Sequence, residues 1–91
     1  MIDFKFTKTL KPGDTVAVIM YGGILRPGIF HGISKLGTFQ FYPIRDKGNM
    51  NVYLDRIQGN NINVRIAKIN PEELAPEFAA HREKILKEIK L

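Results

Sequence analysis

Gly28-Ile29-Phe30-His31-Gly32-Ile33-Ser34-Lys35-Leu36-Gly37-Thr38-Phe39-Gln40-Phe41-Tyr42-Pro43-Ile44 is the stretch that decides the fold. β-Branched and aromatic residues flank Lys35-Leu36-Gly37, so residues 29–34 and 38–44 read as the arms of an antiparallel hairpin. The register follows from the loop length that best sorts the side chains. A two-residue loop of Leu36-Gly37 puts Ile33 on a face with Gln40 and sets Ser34 beside Phe39. A three-residue loop pairs Ile33 with Phe39 and His31 with Phe41, leaving Ser34, Thr38, Gly32 and Gln40 on the other face. The second register separates apolar from polar, and it places Gly37 where a bulged turn needs left-handed backbone. The expectation is the three-residue loop. In that register Phe30 lies opposite Tyr42 on the mostly polar face. Two aromatics there form either a stacking platform or a seat covered by the C-terminal segment or another subunit.

Upstream, residues 15–21 (TVAVIMY) are β-branched and nearly continuously apolar, as a central strand is. Leu10-Lys11-Pro12-Gly13-Asp14 before them is a type II turn, with Pro presetting φ and Gly supplying a positive one. Ile2, Phe4 and Phe6 alternate with polar residues, which predicts a first half-buried strand. Gly22-Gly23 opens a loop through Ile24-Leu25-Arg26 to Pro27-Gly28.

Downstream, residues 45–51 are a polar loop and residues 52–55 a short strand. Residues 56–61 form a turn, and residues 62–69 a last strand with Ile62, Val64 and Ile66 on one face. Asn70-Pro71-Glu72-Glu73 then carries a helix start, with an Asn cap, Pro in the first turn and acids at the positive end of the dipole. Pro76 predicts a restart, after which Phe78, Ile85, Leu86 and Ile89 line one stripe.

These elements predict a mainly β fold: a small β-barrel or rolled antiparallel sheet of about five or six strands with one C-terminal α-helix. Residues 1–70 would form the barrel and residues 71–91 a helix packed on it, as a single domain. In strand lengths and order the pattern is similar to SH3-like and Sm-like barrels, a likeness of architecture that fixes no function.

The chain has 91 residues, of which 44% are hydrophobic and 25% charged, values of an ordinary globular protein. There is no cysteine, which excludes disulfides and thiolate-bound zinc or iron–sulfur centres. The net charge of +5 has a location: residues 1–70 hold ten bases against four acids, and residues 71–91 hold four against five. The positive field belongs to the β-rich body, where it draws polyanions. No secretory signal or membrane-spanning run is legible, so the expected setting is cytoplasmic, away from membranes.

Catalytic chemistry finds no support. Ser34 is the sole serine, and in the chosen register it faces away from His31. Two histidines 50 positions apart make no metal spacing, and Gly22-Gly23 lacks the lysine and helix of a phosphate loop. The expectation is a protein that is no enzyme and holds no cofactor or metal. Nucleic-acid binding fits better, because small barrels bind single strands with a basic surface and exposed aromatics. The candidate contacts are Arg26, Phe30, Tyr42, Arg45, Lys47, Tyr53, Arg56 and Arg65, with RNA or single-stranded DNA as ligand. The alternative is a protein-interaction or structural subunit, either an oligomeric adaptor or an inhibitor that binds another protein. It rests on Ile24 and Leu25, two large apolar residues in a loop, and on sheet edges open to a second copy.

Overall fold

Asp3 decides how the chain begins. Where alternation predicts a strand, the chain forms a short helix, α1 (Phe4–Thr7). The Asp3 carboxylate accepts from the amides of Lys5 at 3.0 Å and Phe6 at 3.2 Å, a cap that a strand has no use for. The turn still delivers its apolar residues inward: Ile2 is buried, and Phe4 and Phe6 pack on the same core. This is a computed structural model, and it describes residues 2–45 and 51–89.

The Pro-Gly turn forms as expected. Gly13 sits at φ 100°, and the Asp14 amide donates to the Lys11 carbonyl at 2.9 Å. It leads into β1 (Thr15–Ile19), which is followed by β2 (Leu25–Ile33), β3 (Thr38–Pro43), β4 (Asp55–Gln58) and β5 (Arg65–Lys68). All pairings are antiparallel, in the order β4-β3-β2-β1-β5. The strands β4 and β5 are the two edges and do not pair with each other, so the sheet is open and not a closed barrel. The strand expected at residues 52–55 lies later, as β4, and the last strand is shorter than residues 62–69.

The hairpin turn has the three-residue loop. Ile33 pairs with Phe39, the Ser34 amide donates to the Thr38 carbonyl at 3.0 Å, and Gly37 has φ 79°. Further along, the register departs from expectation. A β-bulge lies between Phe30 and Gly32, with His31 the extra residue, so Phe30 pairs with Phe41 and Ile29 with Tyr42. One inserted residue inverts the face of everything before it. His31 therefore leaves the core face predicted for it, and its ring meets Tyr42 edge-on at 5.6 Å.

Both faces of the sheet are packed. On one, Val16, Val18, Phe30, Phe39 and Phe41 gather with Ile2, Leu10 and Val64. On the other, Ile29 and Ile44 are covered by Ile85 of α2 (Pro76–Ile89), with Phe78, Leu86 and Ile89 beside it. The helix begins as its sequence predicts: Asn70 caps a 3-10 turn over Pro71–Glu73, and Pro76 starts the helix proper. Polar contacts also dock it. The Arg82 Nε donates to Thr15 Oγ1 at 2.9 Å, and the Arg45 amide donates to His81 Nδ1 at 2.8 Å.

Candidate nucleic-acid interface

The strands bring two of the predicted bases to one place. Arg26 stands near the start of β2 and Arg56 on edge strand β4. Both line a hollow of about 470 Å³ together with Asp55, Gln58, Asn60 and Asn61. Arg26 reaches Asp55 from the far side of β3, with Nη2 and Oδ2 3.8 Å apart. That pairing engages the one acid of the hollow. Gln58, Asn60 and Asn61 add amide groups, each able both to donate and to accept.

Arg65 lies next door. It shares a smaller hollow of about 210 Å³ with Tyr21, Ile62 and Asn63, and Met20 lines both spaces. Tyr21 is 79% exposed at the tip of the β1–β2 connection, where Gly22 and Gly23 take φ 85° and 79°. Only glycine adopts that backbone cheaply, and the paired glycines throw the preceding tyrosine outward. In sequence Tyr21 ends the strand expected over residues 15–21 and is not among the candidate contacts. Gly22-Gly23 is the signal that marks it, since the strand stops before them.

The remaining candidates are distributed differently. Phe30 is corrected outright: it is 4% exposed in the core, with its ring 5.3 Å from Phe39, and offers no face to a base. The bulge at His31 is the cause. Tyr42 is half-buried in the cluster under α2. Tyr53 is exposed, but Arg45 lies over its ring at 5.1 Å and donates from Nη2 to its hydroxyl at 2.7 Å. Arg45 is thus held at both ends, its backbone by His81 and its guanidinium by Tyr53. Arg26 also borders the hollow that Arg45 lines, which makes a basic band from Arg65 through Arg56 and Arg26 to Arg45. Lys47 lies outside the described residues. Ile24 and Leu25 are 64% and 57% exposed, and Leu25 opens β2.

Ser34 has a structural partner: its Oγ accepts from the Thr38 amide at 3.0 Å across the hairpin turn. Among the described residues no helix is long and apolar enough to cross a membrane. No protein-family model matches the chain, and neither does any curated protein or solved structure.

Proposed function

We propose that the protein is a non-enzymatic module that binds single-stranded nucleic acid, RNA or DNA, along its basic band. The observation that carries this reading is the hollow in which Arg26 and Arg56 meet Gln58, Asn60 and Asn61. Arginine supplies phosphate contacts, and amide side chains match the mixed donors and acceptors of a base edge. At about 470 Å³ the hollow falls in the range of roughly 300–1,000 Å³ usual for small-molecule sites, room for a base splayed out of its strand. A base inside a duplex has no such access, which favours single strands. The strand order, with β1 between β2 and the last strand, supports the SH3-like or Sm-like reading of the architecture.

Fluorescence-anisotropy titration with random single-stranded RNA, single-stranded DNA and duplex DNA, from about 50 to 200 mM salt, tests this. The expected result is salt-dependent binding that prefers single strands. Arg56→Ala should weaken it and lower the slope of log affinity against log salt by about one. Absence of binding at the lowest salt would overturn the reading.

A second reading, an assembly subunit or protein-binding adaptor, is favoured by different observations. Neither β4 nor β5 has a neighbour on its outer side among the described residues, and Ile24 and Leu25 are exposed.

A further inference from the structure

We infer that the single-strand site takes two successive unpaired nucleotides, the second base seated at the tip of the β2–β3 hairpin. The inference deepens the single-strand reading and rests on it.

A hollow of about 450 Å³ adjoins the one that Arg26 and Arg56 line. Gln58 and Asn60 border both, so they form the wall between them. The two spaces are close in size and unlike in character. Phe4, Leu36 and Thr38 line the tip hollow, and no charged side chain does. A phosphate finds no counter-charge there. A base fits, being an uncharged group with apolar faces and a polar edge.

Both kinds of contact are to hand. Thr38 brings a hydroxyl and Gln58 and Asn60 bring amides, groups that donate and accept. Among the described residues, none of these three side chains is engaged in a hydrogen bond with protein. Leu36 is 93% exposed in the hairpin turn, and a base in the hollow takes its apolar surface out of water. A lone exposed leucine is ordinary. What sets Leu36 apart is its place beside uncharged space that continues into a basic one. Neighbouring nucleotides share one phosphate, which here crosses the wall of Gln58 and Asn60. Arg26 and Arg56 stand on one side of that wall only, so salt dependence belongs to their hollow and base contact to the tip. The hollow of Tyr21 meets the central one through Met20 and shares no residue with the tip, so Tyr21 and Leu36 serve different nucleotides.

Competition of mixed-sequence dinucleotides against a labelled random single strand, read by fluorescence anisotropy, tests the inference. The comparison is with dinucleotides that keep the phosphate and carry an abasic sugar in place of one base. The intact form should bind the unaltered protein about tenfold or more tighter than either abasic form. Leu36→Ser should remove most of that difference, leaving the abasic affinity and the salt slope unchanged. Arg56→Ala should weaken intact and abasic forms alike and lower the slope. Leu36 lies in water, so the thermal midpoint of Leu36→Ser should hold. Absence of binding to the random strand at the lowest salt would overturn the single-strand reading and the two-nucleotide site with it. Binding of the random strand with equal affinities for intact and abasic dinucleotides, no competition from either, or no response to Leu36→Ser would overturn the tip hollow alone. The hollow of Arg26 and Arg56 would then stand as a site for one base.

Discussion

Gly59 sits where three segments cross. Its amide donates to the Gly37 carbonyl at 3.1 Å, and its own carbonyl accepts from the Ile2 amide at 3.1 Å. The turn after β4 is thereby tied to the hairpin tip and to the start of the chain. A Cβ at Gly59 would stand 2.6 Å from the Gly37 oxygen and would also strike the Phe4 ring. A backbone oxygen cannot swing aside as a side chain can, so Gly59→Ala should destabilise by about 1–3 kcal/mol, as overpacking does. The thermal midpoint should drop by roughly 4–8 °C for each kcal/mol in a domain of this size. Gly32→Ala is the control, because its Cβ meets nothing within 4 Å; it should stay within about 0.5 kcal/mol. Equal losses in the two melts would refute the steric account. Neither contact was legible in advance: glycine in Gln58-Gly59-Asn60 announces a turn, not the segments that press on it. The hairpin behaves likewise. Gly37 could be assigned from local backbone demand, whereas the bulge at His31 could not. Ile29, Phe30 and Ile33 are apolar enough to read in either phase, and only the packed sheet chooses between them.

The two helices differ in how openly their sequences state them. For the C-terminal segment every local signal agrees: Asn70 caps the 3-10 turn that Pro71 opens, Pro76 starts α2, and Phe78, Ile85, Leu86 and Ile89 fall on one stripe. For α1 the signals conflict, since three alternating apolar residues argue strand while Asp3 caps a helix, and over four residues the cap prevails. What no stripe reveals is which sheet face a helix covers. That depends on the bulge, because the inversion it causes sends Ile29 toward α2 and Phe30 away. Ile85 is wholly buried against Ile29 and Ile44, so Ile85→Ala should cost about 2–5 kcal/mol, read from the urea midpoint. His81→Ala removes the acceptor of the Arg45 amide in a buried place and should cost about 1–3 kcal/mol. A near-neutral His81→Ala would mean that the Arg45 amide finds another partner.

For the whole molecule, the division of charge could be counted before any fold was known, because a net charge needs only composition. Its direction could not. The basic band exists because Arg26 of β2 reaches Asp55 at the start of β4, and because the β4–β5 turn brings amide groups to both arginines. The predicted aromatics and the predicted bases differ in exposure for a physical reason. An arginine on a short strand stays near solvent in either register, whereas an aromatic passes from surface to core when the register moves by one residue. The band therefore makes an unequal demand on two tyrosines. Tyr21 stands exposed beside Arg65, and Tyr42 lies half-buried beneath α2. If bases leaving the hollow stack on Tyr21, Tyr21→Ala should cost about 1–3 kcal/mol of single-strand affinity. The salt slope should not change, since no phosphate contact is lost. The thermal midpoint should also hold, because an exposed ring takes little packing with it. Tyr42→Ala should do the reverse, lowering the midpoint while single-strand affinity, measured well below it, stays unchanged. Affinity that falls with Tyr42→Ala and not with Tyr21→Ala would move the ligand from the β1–β2 tip to the helix side of the sheet.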